Sequence, residues 1–144
     1  MSQESFWDQR PLRHHMIPLT SEEVKPLKYD MQADAYDRWS SLFTTFVDMR
    51  YPQAGALLHH TYDDAAEIVL EFPHANEANT WLATSIRAIV DQTTKKGELF
   101  ITTLLEDDLH DPGLSSSGID IFERIHQTIR ERDRSAQEAE WTQL

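Results

Sequence analysis

A helical repeat of apolar side chains runs through residues 31–50 and limits the folds open to this chain. Tyr51-Pro52 predicts the end of this helix, because proline disfavours a helical conformation in the residue before it. Apolar residues recur at intervals of three and four, which places them on one face of an α-helix: Ala35, Trp39, Leu42, Phe43, Phe46 and Val47. The repeat therefore predicts an amphipathic helix with one buried face.

Two further segments, residues 76–94 and 118–140, show the same helical period. The first has a buried stripe of Ala78, Leu82, Ile86, Ile89 and Val90, and the second has one of Ile121, Phe122, Ile125 and Ile129. Lys95-Lys96-Gly97 predicts the end of the first of these helices. Cations favour the negative end of the helix dipole, and glycine often follows the last helical residue.

Three other segments predict β-strands. Residues 56–62 and 67–72 flank a polar turn at 63–66, which predicts a hairpin. Residues 98–105 are rich in β-branched and aromatic side chains, as is typical of a strand. In the second strand one face would carry Ile68, Leu70 and Phe72 and the other Glu67, Val69 and Glu71.

The predicted order is α-β-β-α-β-α. A strand–helix–strand crossover should be right-handed and leave the third strand parallel to the second. If the third strand lies beside the first, the strand order is 3-1-2 and every neighbouring pair is antiparallel. We therefore expect an α+β fold: a two-layer sandwich in which three helices pack on a small, mainly antiparallel sheet made of the β-hairpin plus one strand.

The domain prediction is one α+β domain over residues 31–144, preceded by an irregular N-terminal arm over residues 1–30. The arm contains three prolines and no sustained period. The segment from Thr20 to Glu23 resembles a helix start, which Pro26 limits to about one turn. We expect the arm to pack irregularly or to dock on a partner.

The chain is strongly acidic, with 25 Asp and Glu against 13 Lys and Arg in 144 residues and a formal net charge of −12. Such a field repels nucleic acid and attracts basic proteins, so we expect a basic protein partner and no direct nucleic-acid binding. The chain has no cysteine. The first residues lack a signal pattern, and no apolar run approaches the ~20 residues that span a membrane. We expect a cytoplasmic protein with no membrane association.

No motif for catalysis or for a cofactor is found. The chain lacks a nucleophile elbow, an ATP-binding loop and a dinucleotide fingerprint. We therefore expect no catalytic residue, no metal and no cofactor. The residues His59, His60, His74 and His110, with aspartates nearby, leave a small metal-dependent hydrolase as an alternative.

Two stretches free of Lys and Arg carry the candidate partner-binding residues. The first, residues 56–72, is the predicted hairpin with Asp63, Asp64, Glu67 and Glu71. The second, residues 98–123, contains Glu98, Asp120 and Glu123 and the four candidates of the predicted loop, Glu106, Asp107, Asp108 and Asp111. We expect them to be sheet neighbours and to form one negative surface. Tyr62 or Trp141 would anchor a partner, because interface hot spots favour aromatic residues.

The leading hypothesis is therefore a small acidic protein-binding module, an inhibitor or immunity-type protein that masks a basic site on a partner protein. The first alternative is a secretion or assembly chaperone that acts as a homodimer and accepts a client segment at a sheet edge. The metal-dependent hydrolase is the second alternative.

Overall fold

The computed structural model describes the backbone of residues 3–143 and the side chains of residues 6–135 and 137–139. The helices are α1 (Gln3–Asp8), α2 (Arg13–Met16), α3 (Ser21–Val24), α4 (Tyr36–Arg50), α5 (Pro52–His59), α6 (Tyr62–Glu71), α7 (Pro73–Ile89), α8 (Lys95–His110) and α9 (Gly118–Gln143), with 3-10 turns at Lys25–Leu27, Ala33–Ala35 and Leu114–Ser116. The β structure within residues 3–143 is a single parallel bridge between Tyr29 and Val90. The predicted α+β sandwich is therefore wrong, and the described fold is all helical.

The predicted hairpin is two helices, α5 and α6. Pro52 opens α5 at the first helical position, where a missing N–H costs little. The Thr61 hydroxyl accepts the amide hydrogen of Asp64 at 3.3 Å and caps α6. The predicted polar turn at 63–66 is thus the first turn of a helix.

The buried face of α6 follows the helical period instead of strand alternation. Ala65 and Ile68, three residues apart, are buried, whereas Leu70 is 88% exposed. A strand would have placed Ile68 and Leu70 on the same face. The alternation of apolar and acidic residues in 67–72 is therefore compatible with a helix that buries only part of its apolar residues.

The predicted third strand, residues 98–105, lies inside α8. The Thr94 hydroxyl accepts the amide hydrogen of Gly97 at 3.1 Å, so this glycine belongs to the start of α8. A Cβ at Gly97 would lie 2.0 Å from the carbonyl oxygen of Asp91, and this close approach requires glycine. The predicted helix stop at 95–97 is therefore a helix start. The residues of α8 that are buried are Gly97, Phe100, Ile101 and Leu104.

The three predicted helices are confirmed as α4, α7 and α9, with shifted ends. The stripe predicted for α7 is buried along its whole length, and so are Ile121, Ile125 and Ile129 of α9. In α4, Trp39, Phe43 and Val47 are buried as expected, but Leu42 is half exposed.

Helix α7 lies at the centre of the fold. Helices α5, α6 and α9 pack on it, and α4 packs on α5. Gly118 brings the start of α9 against α7: an added Cβ would lie 2.2 Å from the Cβ of Leu82. The Asn79 side chain of α7 accepts the amide hydrogen of Ile119 at 2.9 Å and donates to the Ser117 hydroxyl at 3.0 Å. Helix α7 thus supplies the hydrogen-bond acceptor for the N-terminus of α9.

The N-terminal arm forms part of the hydrophobic core. Trp7, Val24, Leu27 and Tyr29 are buried. The short helix predicted after Thr20 is confirmed as α3, which carries a reciprocal capping box between Thr20 and Glu23. The domain boundary at residue 30 stays a prediction.

Residues 10–18, which we call the strap, are held by side chains that donate to their backbone. The Arg50 guanidinium donates to the carbonyl oxygens of His14, His15 and Ile17. The indole nitrogen of Trp81 also donates to the Ile17 carbonyl, at 3.1 Å. Helix α2 within the strap has no buried residue. Polar contacts to the backbone therefore hold the strap in place.

Candidate functional site

A cleft of about 230 Å³ lies among the start of α4, the end of α5, the start of α6 and the first turns of α9. We call it the Tyr62 pocket. Its apolar walls are Leu57, Leu58, Ala65, Ile119 and Phe122, and its polar lining is Tyr36, His60, Thr61, Tyr62, Glu123 and His126. The pocket therefore combines apolar walls with aromatic and charged groups.

Tyr62 is 39% exposed, and its hydroxyl donates a hydrogen bond to the Asp120 carboxylate. This hydrogen bond is the main reason that the pKa of Tyr62 is raised to about 12, followed by burial and by the charges of Asp120, Asp63 and Glu123. Three carboxylates thus lie close enough to the Tyr62 hydroxyl to affect its ionisation. The mouth of the pocket is negatively charged.

Tyr36 and His126 form the inner polar part of the pocket. The Tyr36 hydroxyl and the Nδ1 atom of His126 are 3.1 Å apart. Burial, followed by the charges of Glu123 and Asp37, raises the pKa of Tyr36 to about 12. Its hydroxyl therefore keeps its proton near neutral pH and is able to donate to Nδ1 of a neutral imidazole.

The four predicted acidic residues of the first stretch lie on α6. Asp63 and Asp64 are in its first turn, near the positive end of the helix dipole. Glu67 and Glu71 follow Asp63 at intervals of four, so these three carboxylates share one helix face. All four residues are exposed, and none forms an ion pair within the described part of the chain. Asp63 is the member whose charge acts on the Tyr62 hydroxyl.

The second acidic stretch has two carboxylates with structural partners. Asp107 pairs with Arg124 of α9. Asp108 accepts the amide hydrogens of Ser115 at 3.0 Å and Gly113 at 3.1 Å, and its pKa is lowered mainly by the bond from Ser115. The other two predicted residues of this stretch, Glu106 in α8 and Asp111 just after it, are exposed.

The two acidic stretches are not sheet neighbours, because residues 3–143 form no sheet. Each is joined to α9 through one residue: Tyr62, which precedes the first stretch, bonds to Asp120, and Asp107 of the second pairs with Arg124. Side chains four residues apart on a helix have Cβ atoms roughly 6 Å apart. These two contacts with α9 therefore lie about one turn apart.

No protein-family model, curated protein or solved structure matches this chain. Function is therefore inferred from the chemistry of the side chains. Across the described residues, no helix combines the length and the apolar character that crossing a membrane requires.

The histidines of the hydrolase alternative lie on different elements. His59 of α5 is 2.7 Å from Asp48 of α4, and His74 of α7 is 3.5 Å from Glu77. Within the described part of the chain, no three His, Asp or Glu side chains are grouped so that they could hold a metal ion. Trp141 belongs to the last turns of α9, but its side chain lies outside the described residues.

Sequence reasoning did not single out four of the six polar residues that line the Tyr62 pocket: Tyr36, Thr61, Glu123 and His126. A local signal existed for two of them, because Glu123 and His126 lie three residues apart on a predicted helix and border the apolar Phe122. No local signal existed for Tyr36, whose contact with His126 joins residues 90 positions apart.

Proposed function

We propose that this chain is a small protein-binding module that captures a basic segment of a partner protein, as an inhibitor or immunity-type protein that masks a basic site would. The observation that supports this proposal is the Tyr62 pocket. Glu123 lines it together with the apolar walls, and the carboxylates of Asp120 and Asp63 act on the Tyr62 hydroxyl at its edge. Arginine and lysine side chains have the matching two-part character, an aliphatic stem and a cationic head.

The charge around the pocket adds a kinetic advantage. The net charge of −12 and the unpaired carboxylates on the exposed face of α6 favour the approach of a basic partner. Electrostatic attraction of this kind raises the association rate and weakens as salt is added. The pocket then supplies the local complementarity that a diffuse negative surface lacks.

The two alternatives gain no support of this kind. The chaperone alternative requires a sheet edge that accepts a client segment, and residues 3–143 contain no sheet. The hydrolase alternative requires histidines grouped around one metal ion, but the four candidates lie on three different helices or at their ends.

The test is binding of a short fluorescent peptide in which arginines alternate with leucines, measured by fluorescence anisotropy at about 50 mM and about 500 mM salt. We expect binding at low salt, weaker binding at high salt, and no binding of the same peptide with glutamates in place of arginines. Glu123→Gln should weaken binding about tenfold, because it removes a carboxylate from the pocket.

Glu98→Gln is the matched control. Glu98 is exposed in the first turn of α8, outside the pocket, and the substitution changes net charge by the same amount. An equal loss of affinity in both variants would mean that only net charge matters. Failure of the arginine peptide to bind at low salt would overturn the proposal.

A further inference from the structure

The strap carries the opposite charge from the rest of the chain. Residues 9–21 contain Arg10, Arg13, His14 and His15 and no Asp or Glu, in a protein with a net charge of −12. Both arginines are exposed, and neither forms an ion pair with a described side chain. Their guanidinium groups are available for an external acidic group.

Apolar side chains are exposed beside these arginines. Leu12 is 58% exposed, Met16 is 43% exposed and Ile17 is 52% exposed. Arg50 and Trp81 hold the strap by its carbonyl oxygens, so these side chains remain at the surface. An ordered surface that is both apolar and basic marks an interaction site.

The surface that complements the strap lies on the same molecule, but the strap does not line it. The Tyr62 pocket includes Tyr36 at the start of α4, whereas the strap is fixed by Arg50 at the end of α4. At 1.5 Å per residue these two ends are about 20 Å apart. In the described structure no residue of the strap lines the Tyr62 pocket of its own chain.

We infer that the strap of one copy docks on the Tyr62 pocket of a second copy, with Arg13 facing the carboxylates around Tyr62 and Leu12 and Met16 facing apolar surface. This inference rests on the proposed function and names the basic segment that the pocket takes. The contact joins two different surfaces, so it is head-to-tail and forms open chains or rings. The average mass should therefore rise with protein concentration.

The test is sedimentation velocity of the full chain over a wide range of concentrations, at low and high salt. We expect wild-type protein to associate at low salt and to dissociate as salt rises. Arg13→Glu and Asp63→Arg should each raise the dissociation constant at least about tenfold, because each opposes like charges across the contact. Arg38→Glu, at an exposed site outside the strap and the pocket, is the control for net charge and should associate like the wild type.

Mixing the two weakened variants gives the sharper result. Arg13→Glu retains an intact pocket and Asp63→Arg retains an intact strap, so an equal mixture should form a heterodimer. Absence of that heterodimer, or association of either variant alone at the wild-type strength, would overturn the inference. A strictly monomeric wild type that still binds the arginine peptide would also overturn it and would leave the proposed function standing.

Discussion

The Tyr62 hydroxyl of α6 donates a hydrogen bond to the Asp120 carboxylate in the first turn of α9. This contact joins the acidic helix α6 to the helix that forms the other wall of the pocket. It also keeps the Tyr62 phenol protonated, because ionisation would place two negative charges in contact.

Asp120→Asn should lower the pKa of Tyr62 from about 12 towards its ordinary value, since the bond to Asp120 is the main cause of the shift. The measurement is the ultraviolet absorbance of tyrosinate as pH rises. An ordinary tyrosine is about half ionised at pH 10. Because the pKa values of all four tyrosines are raised, the wild type should show little tyrosinate at that pH. The variant should gain a step that corresponds to one tyrosine, and identical titrations would contradict this assignment.

The raised pKa values also predict a loss of stability at alkaline pH. Burial is the main cause of the raised pKa, about 12, of both Tyr36 and Tyr51, whereas an unfolded tyrosine ionises near pH 10. The folded state therefore retains protons that the unfolded state releases. This stability is fully present below about pH 10 and is lost as pH rises through about 12. The urea midpoint should fall over that range, and Tyr36→Phe should reduce the slope.

Arg50→Met should release the strap. The substitution removes donors to His14, His15 and Ile17 and the ion pair with Glu23, so we expect the free energy of unfolding to fall by about 2 kcal/mol. Trypsin should then cut after Arg13 faster than in the wild type, whereas Arg10 is followed by Pro11 and is not a trypsin site. Arg38→Met, at an exposed position with no such bonds, is the matched control. Equal cleavage rates in both variants would show that Arg50 does not hold the strap.

Helical periods predicted the three helices that bury the most regular stripes, but three other helices were predicted as strands. Helices α5, α6 and α8 bury only a few residues each, so their apolar patterns are short and ambiguous. The decisive signals were at their starts: Pro52 opens α5, and the hydroxyls of Thr61 and Thr94 cap α6 and α8. Caps and an initial proline therefore carried more information here than β propensity did.

The sequence predicted only those residues of the candidate site that are neighbours in the chain. Tyr62 and Asp63 were singled out; Tyr62 lines the pocket, and the charge of Asp63 acts on the Tyr62 hydroxyl. The pocket itself depends on the packing of α4 and α9, which brings Tyr36 to His126, and no short-range pattern encodes that approach. The acidic stretch was predicted as a loop that faces a partner, but residues 106–110 belong to α8, and Arg124 and the Ser115 amide supply partners for Asp107 and Asp108.

Mild acid should loosen the strap through His15, whose ring stacks on Tyr51 with centroids 5.8 Å apart. Burial, followed by the charges of His14 and Arg50, lowers the pKa of His15. A lowered pKa means that this stability is present above the ordinary histidine pKa of about 6.5 and is lost as pH falls through the folded value. The Trp81 indole N–H, which bonds to the strap at Ile17, is the reporter for NMR.

Its signal should shift, and its protection against exchange with water should decrease, as pH falls below the ordinary histidine pKa of about 6.5. His15→Gln should remove that change, whereas His59→Gln, on α5 and paired with Asp48, should leave it intact. If the Trp81 signal changed with pH in the same way in His15→Gln and His59→Gln, the role of His15 would be contradicted.

Asn79→Ala should destabilise the fold through the start of α9. Asn79 is 4% exposed, and its side chain both accepts the amide hydrogen of Ile119 and donates to the Ser117 hydroxyl. Alanine leaves that buried amide without an acceptor, so we expect a loss of about 2 kcal/mol and a fall in Tm of about 5 °C. Asn76→Ala, an exposed asparagine one turn earlier on α7, is the matched control and should change stability by less than about 0.5 kcal/mol.

Because α9 also carries Asp120, Glu123 and His126, Asn79→Ala should weaken peptide binding at the Tyr62 pocket as well. A variant that loses stability but binds the peptide like the wild type would show that the pocket forms independently of this cap.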